Sequence, residues 1–251
     1  MIINKTIFSW VGVIFIIVLW QWASSFNPTI VLPSVNETLT RLYEIILYEN
    51  GIKDIYITII RALIGFSFAL VIGIIIGCLS GYFQSVEYFL YPIERIMISI
   101  PPIAWIVLSL IWFGGNGITS PALTIFVAEF PLIYLSTMQA VKTIDRDLFD
   151  MAKSFNMKKL EIIVHIGGIH ILSLIYPAIT MSFGASWKIA VMAELLGSPN
   201  GIGSQIANAR VNLETPDVFA WIAIIVIIYL IFDKILINPL LKYTMKWRKG
   251  F

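Results

Sequence analysis

From Ile55 to Tyr82 the chain carries one charged side chain, Arg61, in a run that is otherwise apolar or small. That run exceeds the roughly 20 mainly apolar residues needed to cross a bilayer as a helix. Other long apolar runs follow it, so that 59% of the 251 residues are hydrophobic and only 13% are charged. Soluble domains carry about 25% charged residues. A water-soluble fold of this size has no core large enough to hide so much apolar surface. The bilayer is therefore the solvent for most of the chain, and the fold class is all-α, a polytopic membrane protein.

About six spans are expected. The first runs from Ile7 to Phe26; Lys5 before it and Ala23–Ser25 after it would also suit a signal peptide. Its length and its tryptophans, Trp10, Trp20 and Trp22, favour a retained helix with interfacial anchors. Residues 36–48 read as an amphipathic helix lying on a surface. The second span, Ile55 to Tyr82, carries Gly73, Gly77 and Gly81 at four-residue spacing, a stripe that lets another helix approach closely. The third, Tyr88 to Phe113, is interrupted by Pro101-Pro102, which predicts a kink near Ile100. A Gly-rich turn separates it from the fourth, Ile118 to Val141. The fifth runs from Ile162 to Leu196 and the sixth from Val218 to Leu241, making one membrane domain of residues 1–251 with core spans over 55–241.

Lysine and arginine accumulate in cytoplasmic loops. With the N-terminus inside, the inner segments hold Lys5, then Lys142, Arg146, Lys153, Lys158 and Lys159, then the tail cations Lys242, Lys246, Arg248 and Lys249. The other side carries mainly Arg41, Lys53 and Arg210. Both termini are expected in the cytoplasm, and 36–48 outside. A net charge of +2 leaves no footprint for nucleic acid. Cys78 stands alone, and His165 and His170 are five residues apart, so no metal site and no cofactor are expected.

The segment 142–161 breaks this apolar pattern. Asp145, Asp147 and Asp150 precede Lys153, Lys158 and Lys159, the order a helix dipole favours. Leu148, Met151, Ala152 and Phe155 fall on one side, and Asn156 stands where a left-handed C-cap would close the helix. A plain solvated loop is the bland reading.

This segment resembles the cytoplasmic loop of permease subunits of ATP-binding-cassette importers. Asp150-Met151-Ala152 occupies the positions of their Glu-Ala-Ala, and Asn156 that of their Gly; Gly168-Ile169 stands in place of their Leu-Pro. Val31–Ser34, Ile100–Trp105, Trp112–Gly114 and Ala193–Gly197 ahead of Gly201-Ile202-Gly203 are similar to the nitrate/sulfonate/taurine branch. The resemblance implies a type I importer permease fold in a homodimer. It also implies two cytoplasmic ATPase subunits, an extracytoplasmic solute-binding protein and a small solute such as a sulfonate, nitrate or taurine. It implies ATPase coupling through Leu148, Asp150, Met151, Ala152, Phe155 and Asn156. The chain has no phosphate-cradling G-x-x-x-x-G-K-[ST] run, so it is not expected to be an enzyme, and energy must come from another polypeptide.

Glu94-Arg95 and Arg61 read as locally paired or anchoring charges near span ends. Lys188 and Glu129 lie deep inside spans, where ionisable residues default to a functional role. They either form a buried structural pair or line the translocation path with Trp187, Met192 and Glu194. The turn with Gly197, Gly201 and Gly203, followed by Asn208, is expected as a periplasmic gate or docking surface. A secondary transporter using Lys188 and Glu129 is the alternative; it predicts an inverted repeat, and the Pro101-Pro102 break has no second copy.

The charge distribution makes a direct prediction. In intact spheroplasts a Gly250→Cys variant stays unlabelled by a membrane-impermeant thiol reagent and becomes labelled on permeabilisation. Labelling without permeabilisation would overturn the orientation.

Overall fold

The structure, a computed structural model, describes residues 5–49 and 51–234. The expected end of the sixth span at Leu241 and the tail cations lie outside the described residues. Among those described there are only helices: α1 (Lys5–Ser24), α2 (Val35–Leu47), α3 (Gly51–Tyr82), α4 (Gln84–Ser99), α5 (Pro102–Phe113), α6 (Thr119–Lys142), α7 (Arg146–Ser154), α8 (Lys159–Ile162), α9 (Ile169–Gly197), α10 (Ile202–Val211) and α11 (Thr215–Phe232). A π-helical turn, Ile163–Gly168, joins α8 to α9.

Four helices, α3, α6, α9 and α11, are long and apolar enough to cross a membrane. α4 and α5 are long and apolar enough only when taken together, as a broken span or a re-entrant pair bent by 97° where Pro101-Pro102 interrupts them. α1 is a further apolar helix of 20 residues, Lys5–Ser24. The expected count of six is thus approximate, and the expected kink is a sharp break. Ile100 is extended there (φ −88°, ψ 123°), as the residue before proline should be. The expected fifth span begins later than Ile162, because α8 and the π-helical turn occupy its first residues.

The bundle is built around α6, which packs against α3, α5 and α9. Its pairing with α3 follows a fixed register. A Cβ on Gly65 would meet Ile125 at 2.7 Å, on Gly73 Ile133 at 2.9 Å, on Gly77 Thr137 at 2.6 Å, and on Gly81 Val141 at 2.5 Å. Each partner lies sixty positions further on, so the two helices run parallel with glycine backbone against side chain. In lipid there is no hydrophobic drive between helices, and such close approach supplies the dispersion energy instead.

The surface helix α2 begins with a capping box: Glu37 N–H donates to Ser34 Oγ, and Ser34 N–H to Glu37 Oε2. That backbone donor, with the Ser34 hydroxyl, holds the Glu37 carboxyl below its ordinary range. Arg41 then clamps α2 to α11 through Asp217, its Nε 2.6 Å from Oδ1 and its Nη2 2.6 Å from Oδ2. α1 is tied only near its end, where Trp20 Nε1 donates to Pro33 O and Gln21 Oε1 accepts from Val35 N–H. Val11 to Leu19 are exposed, as are large apolar side chains on every span. Such surface is tolerable only against lipid or a partner.

The glycine register predicts a specific weakness. Gly77→Val drives methyl groups into Thr137 and the Tyr134 carbonyl and should cost about 1–3 kcal/mol, read as earlier thermal unfolding in detergent. Gly12→Val, with nothing within 4 Å, should leave the transition unmoved.

Candidate functional site

Three places gather the polar residues. The first is at the end of the bundle opposite α7. Asp54, Thr58 and Arg61 recur at i, i+4 and i+7, so they share one face of α3. That face meets the end of α9 and the turn into α10. Arg61 Nη1 lies 2.9 Å from Glu194 Oε1 and donates also to Asn200 O, while Nη2 donates to Asn200 Oδ1 at 2.8 Å. Glu194 Oε2 accepts from Thr58 Oγ1 at 2.7 Å and from Gly203 N–H at 3.1 Å. Asp54 takes Gly201 N–H at 2.7 Å and the Gln205 amide at 2.8 Å. Arg61 is 2% exposed and Glu194 1%.

This knot dictates the glycines around it. Gly201 has φ +101°, and a Cβ there would sit 2.4 Å from the Glu194 carboxyl carbon; one on Gly203 would sit 2.2 Å from Val191 O. Gly197 O leaves no room for a Cβ on Gly115, so the α5–α6 turn locks against the α9–α10 turn. Gly201 and Gly203 are buried. Asn208 is exposed and lines a cleft of about 550 Å³ with Arg41, Glu49, Glu214 and Asp217. Arg61 is no membrane anchor: it is the centre of this network. The spacing of Asp54, Thr58 and Arg61 was the signal that could have found it.

The second place is the middle of the bundle. Glu129 on α6 is buried and accepts from Ser182 Oγ on α9 at 2.5 Å. Lys188 is exposed and forms no ion pair with Glu129, so the expected resting pair is absent. The two depths match, but the azimuths do not: Lys188 turns to the outer face of α9, together with Met192 one turn on. Trp187 faces the other way, buried in the core near Phe232 of α11, ring centroids 6.5 Å apart. Glu194 belongs to the knot and does not share the Lys188 face.

The third place is α7. Asp145 caps it, Oδ1 accepting from Asp147 N–H at 2.9 Å. Asn156 closes it with φ +57°, and Met157 N–H reaches back to Ala152 O at 3.2 Å, the bond that marks a Schellman end. Ala152 is 1% exposed and packs inward; Met151 and Phe155 point out, 52% and 76% exposed, beside the exposed Asp150. The apolar side of α7 is therefore divided, a small residue buried and two large ones exposed. The Leu148 side chain lies outside the described residues.

The family described as "Binding-protein-dependent transport system inner membrane component" matches residues 69–238. A protein of Bacillus subtilis assigned provisionally as an aliphatic sulfonates transport permease is 29% identical over 238 residues, covering 94% of this chain and 86% of that one. The nitrate import permease protein of Synechocystis is 26% identical over 233 residues, covering 89% and 84%. The fold resembles an inward-facing structure of the MetNI methionine ABC transporter, with a TM-score of 0.56, 16% identity, and 75% of this chain and 95% of that one covered.

The knot makes a measurable prediction. Arg61→Met strands the buried Glu194 and should cost about 3–5 kcal/mol of stability in detergent. Arg61→Met combined with Glu194→Leu should recover part of that loss. Simple addition of the two single losses would show that the pair does not act as a unit.

Proposed function

The chain belongs to the family of binding-protein-dependent transport system inner membrane components, and from that premise we propose that two copies of it form the translocation path of an importer for a small anion. It is a multi-pass inner-membrane permease subunit, not an enzyme, and works with an ABC ATPase and a solute-binding protein. The finer assignments are these. Each copy carries one ATPase on its α7 side, both termini lie in the cytoplasm, and the binding protein docks at the α2–α10 end.

The observation that supports the coupling role best is α7 itself. A short charged helix leaving Phe155 and Met151 in water exposes apolar area that a docked partner would cover. Its Schellman end fixes the direction in which those side chains project, so a push from the ATPase is delivered to α8 and α9. Asp150 stands beside them as an acid for a basic partner residue. Leu148, Ala152 and Asn156 complete the coupling set as support.

For the path, Lys188 and Met192 are its lining, on the exposed face of α9. Glu129 and Trp187 stand behind that face and hold its shape, while Glu194 with Gly197, Gly201 and Gly203 holds the outer turn and Asn208 faces the docking cleft. An exposed ammonium deep in a span draws an anion, which fits relatives named for sulfonates and nitrate.

Phe155→Ser with Asp150→Ala should leave the unfolding transition unchanged while cutting ATPase co-purification and transport on the order of tenfold, a loss of about 1.4 kcal/mol in docking. Wild-type co-purification and uptake in that double variant would refute the coupling role. Lys188→Met should lower uptake of the anion while ATPase binding stays intact; unchanged uptake would remove Lys188 from the path.

A further inference from the structure

Glu94, Glu129 and Glu194, acids of the spanning segments, are all buried. Two cations, Lys188 and Arg95, are not. Arg95 is the one the reading above leaves unexplained. It lies eleven residues into α4, roughly 16 Å along the axis, or about three turns. Its helix follows α3 after a one-residue turn at Phe83 and returns alongside α3 and α6. The flanking Leu90 and Met97 pack on the cluster of Phe130, Tyr134 and Met138, twelve to four residues from the end of α6. Arg95 therefore lies between the start of the α4–α5 pair at Gln84 and its break at Ile100, at neither end of the pair. Snorkelling carries a long cation out to an interface, whereas Arg95 stands one turn before the break at Ile100.

The guanidinium is poorly satisfied by the chain. Its side chain is 63% exposed; Nε lies 3.6 Å from Glu94 Oε2, and the group sits over the Tyr91 ring at 5.2 Å from the centroid. Five N–H donors need acceptors. Hydrocarbon offers none.

A second observation comes from the backbone. Four residues on, α4 stops at Ser99, Ile100 is extended, and Pro101 and Pro102 bring no N–H to bond the carbonyls of the last turn of α4. Pro101, Pro102 and Ile103 are exposed. Irregular backbone at membrane depth is tolerated only inside protein or along a water-filled space, and broken helices recur at solute sites.

We infer that Arg95 and the α4–α5 break open onto the aqueous route through the bundle, where Arg95 is a second cationic residue that selects for anions. The inference rests on the importer reading. It adds a station on the α4 side, nearer the α7 end, to the one at Lys188. Arg95 acts on the solute through charge and bidentate hydrogen bonding, so lysine is an incomplete replacement.

Two probes on the exposed face of Arg95 test it: Ile98→Cys and, should that variant not accumulate, Tyr91→Cys, both in a Cys78→Ala background. The full chain with its ATPase subunit is reconstituted in lipid nanodiscs. It is then treated with an anionic sulfonatoethyl and a cationic trimethylammonium-ethyl methanethiosulfonate. Both reagents should react, and adding Arg95→Gln should lower the anionic-to-cationic rate ratio on the order of tenfold. A cysteine that resists both water-borne reagents but takes a lipid-soluble maleimide places Arg95 against lipid or the second copy and overturns the inference. So does a rate ratio indifferent to Arg95→Gln. Labelling requires no transport, so either failure with ATPase binding intact leaves the importer reading standing; wild-type chain that never binds the ATPase sinks that reading instead.

Discussion

A buried arginine and glutamate from helices far apart in sequence fix the end of the bundle opposite α7. Taking Arg61 and Glu194 out of water is expensive, and their attraction offsets that cost only if the remaining hydrogen-bonding positions are filled. Here Thr58 and Gly203 N–H fill the second carboxylate oxygen and Asn200 accepts twice from the guanidinium, which leaves Arg61 Nε as the one buried position of the pair without a partner among the described residues. Because the acceptors and donors come from α3, α9 and the turn into α10, the charge pair can be satisfied only when those three pieces meet. The turn is thereby placed from two sides. The glycines at 201 and 203 follow from the same requirement, since a side chain at either would occupy the space of the carboxylate or of its helix.

The rest of the bundle divides into a stiff part and a broken part. α3 and α6 run in register with glycine backbone against Ile125, Ile133, Thr137 and Val141, an interface with little room to slide. α4 and α5 have no such seam; they are joined at an angle by two residues that cannot donate hydrogen bonds. α5 is instead tied to α6 by the buried Ser109 hydroxyl, 2.8 Å from both Ser120 and Thr124.

What was legible in the sequence was what is local. The C-cap at Asn156 could be read because a left-handed residue is demanded by the helix end itself, and φ +57° is what the chain adopts. The Pro101-Pro102 break could be read because proline acts on its own neighbours, although the angle could not. Arg61 was misjudged because its meaning lies in Glu194, 133 positions away. The clue was present all the same, in polar residues repeating at helical spacing along one face of an apolar helix. Glu129 and Lys188 failed in a different way. Rise per residue gives depth, so their levels matched; a pair also requires that both helices turn the right faces together, and that rotation is set by tertiary packing.

Rotation also decides what charge a solute would meet. A net charge of +2 conceals the arrangement, because the sum mixes loops with spans. Within the spans these acids are buried: Glu194 on Arg61, Glu129 on Ser182, and Glu94 with one oxygen 3.6 Å from Arg95 Nε and the other without a hydrogen-bond partner. Lys188 and Arg95 are left on the exposed faces of α9 and α4, and Arg95 keeps Glu94 3.6 Å from its Nε. Side-chain orientation, more than composition, produces that asymmetry. A change that freed Glu129 from Ser182 would alter the field along α9 without altering the net charge of the chain.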